Sequence, residues 1–383
     1  MQAHNSLLAL ASHGQSVWLD GLERQTLEEG TFDHLIAEHG LAGITASAAT
    51  FAQALAHTDD YQAAITELRR RGAAAEEIYE RLAVYDVRRA AHQFRRLHHR
   101  SAGRDGYVSL ELSPSVAHDS EATITEARRL WRLLDRPNIM VKVPATGSAV
   151  AAVQQLTRDG INVNITLLFS VERYAEVNNA YMTGLQQRLH AGEAIDQVAS
   201  VASFCISRID AQVDKLLDQL AQSRSRHAGA GTRDLHATAA IACAALAYQQ
   251  FQERCAAPRW QALATRGARA QRPCWVIERD TISAELRYLD ELVAPDTIIS
   301  AALATLSAYR DHGDPGLRLQ ATVGQAQSVL RQLGAVGIEL AALAPELEEQ
   351  GVMKLERTHR QLLATLATGE PIASGNVQQH GPR

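Results

Sequence analysis

Two kinds of segment take turns along this chain. Short apolar runs, many of them β-branched, recur between longer stretches whose apolar residues fall three and four apart. The first pattern predicts strands and the second helices. The predicted strands are Ser16 to Asp20, Gly43 to Thr45, Gly106 to Leu112, Ile139 to Val143, Ile161 to Phe169, Val198 to Ile206, Trp275 to Glu278 and Asp296 to Ser300. Helical patterns cover Arg24 to Glu38, Thr50 to His99, Ser120 to Leu134, the stretch before Arg158, Val171 to His190, Asp210 to Ala221 and Leu235 to Cys255, with two or three more helices towards the end. In the long second stretch, Ile65 and Leu68, then Ile78, Leu82, Tyr85 and Val87, carry the apolar spacing. Residues 1–15 read as a helical arm and 222–232 as a polar loop.

Eight short strands separated by helices are the signature of an α/β fold of the (β/α)8 barrel type. The expected organisation is one barrel domain over residues 1–367 with an N-terminal helical arm, then a flexible tail over 368–383. Such a barrel gathers the C-terminal ends of its strands around one mouth, where function sits. Polar residues at those ends are Asp20, Ser47, Glu111, Lys142, Asn164, Thr166, Ser203, Arg208, and Glu278 or Arg279.

Composition narrows the classes. Apolar residues make up 46% of the 383, which suits a globular protein, and the net charge of -5 comes with no long basic run, so no nucleic-acid partner is implied. No apolar run reaches the roughly 18 residues of a membrane span. Met1 to Gly14 lacks the cationic-then-apolar pattern of a secretory signal. Cys205, Cys243, Cys255 and Cys274 show no CxxC spacing, so a metal site or disulfide framework is not expected and a reducing cytoplasm fits.

Lys142 is the residue that changes the picture. Only three of the 38 lysines and arginines are lysines, namely Lys142, Lys215 and Lys354. Lys142 sits inside Ile139-Met140-Val141-Lys142-Val143, where burial disfavours an ammonium. A neutral amine can attack a carbonyl and form a Schiff base, which arginine cannot. The ordinary lysine pKa of about 10.4 must fall for that, and an apolar pocket would lower it. The structural alternative is a lysine at a strand end that reaches for solvent. Glu111 lies between Leu110 and Leu112, an unfavourable place for a carboxylate unless it faces a barrel interior. Asp20 closes an apolar strand, as a mouth acid or as a turn aspartate. Asn164 and Thr166 share one strand face, as ligand groups or as a polar layer that satisfies itself. Arg208 is either a surface partner of Asp210 or an anion fork, with Ser203 beside it.

The chain resembles a transaldolase of the longer bacterial type. The motifs that carry the likeness are Ser16 to Asp20, Asp105 to Pro114, Pro137 to Thr146, Gly160 to Ser170 and Ser200 to Asp210, in matching order and spacing. The resemblance implies that Lys142 is the Schiff-base nucleophile. Asp20 would accept the proton of the donor's C4 hydroxyl, and Glu111 with Thr166 and a water would shuttle protons during imine formation. Asn164 would bind donor hydroxyls, and Ser203 and Arg208 the sugar phosphate. It implies transfer of a dihydroxyacetone unit from a ketose phosphate, sedoheptulose 7-phosphate or fructose 6-phosphate, to an aldose phosphate in the pentose phosphate pathway. No metal or cofactor is expected. The implied partners are small-molecule sugar phosphates, and a homodimer is a candidate assembly.

Three stretches depart from that pattern. Thr45-Ala46-Ser47-Ala48 stands where Thr-Ser-Asn-Pro is usual, so Ser47 replaces a donor-binding amide with a shorter hydroxyl. After the seventh strand, Ile277 and Thr281 stand where hydroxyl and cation are expected, with Glu278 and Asp280 flanking Arg279. Ile299-Ser300-Ala301-Ala302 replaces Asn-Thr-Met-Pro. The chemical centre is kept and the substrate rim altered, which leaves room for a Schiff-base aldolase or lyase acting on another sugar. A non-catalytic barrel is the remaining reading, against which the retained set argues.

Overall fold

Alternation along each strand decides what faces the barrel interior and what faces the helices. In the computed structural model, which describes residues 5–28, 30–223, 233–278 and 282–368, eight strands close into one parallel barrel in sequence order. They are β1 (Ser16–Asp20), β2 (Leu41–Ala46), β3 (Tyr107–Glu111), β4 (Ile139–Pro144), β5 (Val163–Leu168), β6 (Ser200–Cys205), β7 (Arg272–Val276) and β8 (Ile298–Ala301). β8 pairs with β1 and completes the ring, with Trp18 opposite Ser300. The expected (β/α)8 architecture is therefore present.

Outward-facing Val141, Val143, Val163 and Ile165 join the large core under the helices. The interior has its own apolar layer near the N-terminal ends of the strands, built from Trp18, Tyr107, Met140, Val201, Cys274 and Ile298. Gly43 is required there, because a Cβ on it would lie 2.5 Å from the Trp18 indole. Two residues further along, the same faces turn polar, with Asp20, Thr45, Ser109, Lys142 and Ser203. The apolar layer is a floor and the polar layer lies above it towards the mouth.

Several predicted bounds shift. The Thr50–His99 stretch is three helices, Ala48–His57, Gln62–Arg70 and Ala75–Arg100. The Arg24–Glu38 stretch breaks into Arg24–Glu28 and Thr31–His39 at Gly30, whose φ of 69° no continuing helix adopts. β7 ends at Val276, so Ile277 and Glu278 lie beyond it. Asp296 lies before β8, at the opposite end of the barrel from the mouth, where it pairs with Arg104. The N-terminal arm is a docked helix, Ser6–Ser12, capped by Asn5 and anchored by buried Leu7 and Leu10 and by Ser6 Oγ donating to the Gly313 carbonyl at 2.8 Å.

A 29-residue helix, Leu340–Thr368, ends the described chain. It packs on β5, on the short turn Pro114–Val116 and on the helices Ala48–His57 and Ala75–Arg100, which brings it to the mouth. The tail expected from 368 falls, apart from Thr368, outside the described residues, as do Arg279 to Thr281 and most of the polar loop at 222–232. Among the described residues no helix is long and apolar enough to cross a membrane.

Candidate active site

Strand register puts three of the expected residues side by side. Glu111 on β3 is opposite Lys142 on β4, and Lys142 is opposite Asn164 on β5. Lys142 Nζ lies 3.5 Å from Glu111 Oε1, with the two side chains only 11% and 5% exposed. Asp20 rises from β1, held by Thr45 Oγ1, which donates to its Oδ1 at 2.6 Å.

Burial pulls the Lys142 ammonium down, but the charges of Glu111 first and Asp20 next outweigh it and hold Lys142 above its ordinary pKa. This corrects the expectation that an apolar pocket lowers it: the pocket is lined with acids. Burial likewise pushes Glu111 up, against the opposing pull of Lys142. The two tendencies cannot both be satisfied. A proton on Glu111 removes the main charge that keeps Lys142 protonated, so a single transfer from Nζ to the carboxylate turns a buried ion pair into a neutral amine beside a neutral acid. Cys205, pushed up to about 11 chiefly by burial, stays a thiol.

Asn164 is fully buried, and both ends of its amide are engaged. Its Nδ2 donates to Ser109 Oγ at 3.1 Å and its Oδ1 accepts from Ser203 Oγ at 2.7 Å. Asn164 and Ser203 thus belong to a polar layer that largely satisfies itself, and Ser203 is tied to Asn164 instead of standing with Arg208. Thr166 shares the Asn164 face and is also buried. The next residue, Leu167, has φ of 59°, and the β5–β6 register shifts around it. This left-handed residue turns the strand end at Thr166. Ser47 caps the helix Ala48–His57: its Oγ accepts from Thr50 N at 3.3 Å, and Thr50 Oγ1 accepts from Ser47 N at 3.0 Å.

Arg208 starts a second cluster. It lies in the first turn of the helix Ile206–Ser223, and its Nε is 2.9 Å from Glu278 Oε1. Lys354, from the helix Leu340–Thr368, donates to Glu278 Oε2 at 3.0 Å. The alternative pairing of Arg208 with Asp210 does not occur. Asp210 turns the other way, accepting from Tyr288 Oη at 2.7 Å and from the Ala240 N–H at 2.8 Å. Gly351 abuts Arg208, where a Cβ would come within 3.1 Å of Nη1. Sequence reasoning missed Thr45, Ser109, Gly351 and Lys354. For Lys354 a signal existed: lysine scarcity singled out Lys142 and applied equally to Lys354.

A buried amine between carboxylates at the mouth of a closed parallel barrel defines a class, the barrel enzymes equipped for amine–carbonyl chemistry. The comparison with known proteins agrees: residues 17–366 match the Transaldolase/Fructose-6-phosphate aldolase family, and the chain belongs to it. It is 40% identical over 369 residues to the transaldolase of Saccharopolyspora erythraea, covering 96% of this chain and 98% of that one. It is 41% identical over 358 residues to that of Thiobacillus denitrificans, covering 92% and 97%. With that of Frankia alni the identity is 39% over 366 residues, covering 95% and 97%. The protein is an enzyme of the transaldolase family.

Proposed function

We propose that Lys142 takes a dihydroxyacetone unit from a ketose donor as a Schiff base and passes it to an aldehyde acceptor. The observation that carries this is the buried Lys142–Glu111 pair at 3.5 Å. Glu111 accepts the proton of the Lys142 ammonium, and the amine attacks the donor's C2 carbonyl. Glu111, with Thr166 and a water, then returns the proton to the departing C2 hydroxyl, which leaves as water and gives the iminium. Asp20 accepts the C4 hydroxyl proton while the C3–C4 bond breaks and its electron pair moves into the iminium as an enamine. The fragment from C4 onwards leaves as an aldehyde. An acceptor aldehyde then takes the enamine carbon, Asp20 protonates the new alkoxide, and hydrolysis releases a ketose three carbons longer than the acceptor.

The family pattern supports fructose 6-phosphate or sedoheptulose 7-phosphate as donor and an aldose phosphate as acceptor, with Arg208 as the cation for the far end of the sugar. The test is to incubate the protein with fructose 6-phosphate, reduce with borohydride and read the intact mass. A dihydroxyacetone adduct is expected on the wild type and none on Lys142→Ala. A folded wild type that gains no adduct from this donor would refute the donor assignment, and none from any ketose would refute the amine chemistry.

A further inference from the structure

The Arg208 cluster bears on which sugars the site takes. Glu278 straddles the Arg208 Nε, with Oε1 at 2.9 Å and Oε2 at 3.1 Å, and Oε2 also accepts from Lys354 Nζ. Its backbone is fixed as well, since Glu278 N donates to Ser207 Oγ at 2.9 Å. Burial would raise the Glu278 carboxyl, but Arg208 and Lys354 prevail and hold it below the usual range, so it is ionised at neutral pH. Among these three described side chains, two cations face one anion and the net charge is +1 instead of +2.

Glu278 takes the Nε edge of Arg208, one of the guanidinium edges on which an incoming oxyanion would be held. A phosphate arriving there must displace the carboxylate or lie against it, and two anions a few ångströms apart repel. A sugar end that carries only hydroxyls meets no such obstacle. It can donate to Glu278 and accept from Arg208 or Lys354. Discrimination of this kind comes from a repulsive element as much as from an attractive one.

We propose that Glu278 is a specificity-determining residue: its carboxylate occupies the anion position on Arg208 and Lys354 and shifts preference from phosphorylated sugars towards sugars whose far end bears hydroxyls. The proposal rests on the Schiff-base reading of Lys142 and on Arg208 as the contact for the far end of the sugar.

Acceptor competition tests it. With one donor held constant, kcat/KM is measured for erythrose 4-phosphate and for erythrose. Glu278→Gln should raise the phosphate-to-hydroxyl ratio by about tenfold or more, and Glu278→Asp should return it towards the wild-type value. A carboxylate that only anchored the C-terminal helix would not move this ratio. Calorimetric titration with inorganic phosphate reads the same change without turnover, with binding to Glu278→Gln tighter by about tenfold. Glu278→Ser replaces Glu278→Gln if the latter does not fold. An unchanged ratio and unchanged phosphate affinity in a variant that still forms the Lys142 adduct would overturn the proposal. Absence of the adduct from wild type would instead sink the Schiff-base reading, and the phosphate titration would still decide the role of Glu278.

Discussion

The buried ion pair of Lys142 and Glu111 sets the expected behaviour of single side chains. Glu111→Gln removes the acid–base partner of the amine, so imine formation should slow by about 10²-fold or more, with a smaller effect on carbon–carbon cleavage. Asp20→Asn should do the reverse. Pre-steady-state borohydride trapping separates the steps, and the opposite order would exchange the two roles. A pH effect follows from the same pair. Lys142 is held above its ordinary pKa by Glu111 first among the opposing charges. Without that carboxylate the largest opposing charge is gone, the neutral amine appears at lower pH, and the alkaline rise in adduct formation should shift to lower pH in Glu111→Gln. A profile that does not move would show that Glu111 is not what holds the lysine charged. Asp20, Glu111 and Lys142 were legible in the sequence because a charged residue in an apolar strand stands out. The partner of Arg208 was not. Asp210 is two positions away on a helix, where side chains diverge, whereas Glu278 is brought in by a loop 70 residues later.

At the scale of elements, the helix Leu340–Thr368 touches the mouth through Gly351 and Lys354. Gly351→Ala would place a Cβ 2.9 Å from the Leu167 methyls and 3.1 Å from Arg208 Nη1. These are the ends of flexible side chains, so the fold should survive while the Arg208 fork moves. The KM for phosphorylated substrate should change by several-fold with kcat nearly constant. Equal changes in both constants would place the helix nearer the chemistry. The helix Ile206–Ser223 carries a different liability. Burial first of all lifts Asp210 to about 6, above its ordinary 3.8, despite hydrogen bonds from Tyr288 and Ala240. A raised folded-state pKa means that this group favours the native state below about pH 4 and that the benefit is lost as pH climbs through about 6, a swing of up to about 3 kcal/mol. Asp210→Asn keeps one acceptor for Ala240 and one donor for Tyr288. Its unfolding free energy, measured against pH, should therefore lose less than the wild type's between pH 4 and 7. Parallel curves would show that Asp210 does not titrate in that window.

For the whole molecule, strand count, order and class followed from periodicity, because each strand of a parallel barrel is covered on both faces and reads as an apolar run. The helix breaks within Thr50–His99 were not read, although Thr58-Asp59-Asp60 and Arg71-Gly72 interrupt the apolar spacing where the helices end. The placement of the last helix at the mouth was hidden. Its amphipathic pattern says that one face is buried and not which surface buries it. Ring closure by β1 and β8 could be expected from strand count, but its timing has a cost that periodicity does not show. Trp18 and Ser300 are neighbours in the sheet, yet roughly 280 residues separate them, and at ribosomal speeds of roughly 5–20 residues per second the first strand waits on the order of 15 to 60 s for its partner. Through that interval the Trp18 indole and the apolar edge of β1 have no permanent cover. A chain organised this way leaves a strand edge uncovered during synthesis for longer than a protein whose first strand pairs only with its immediate successor.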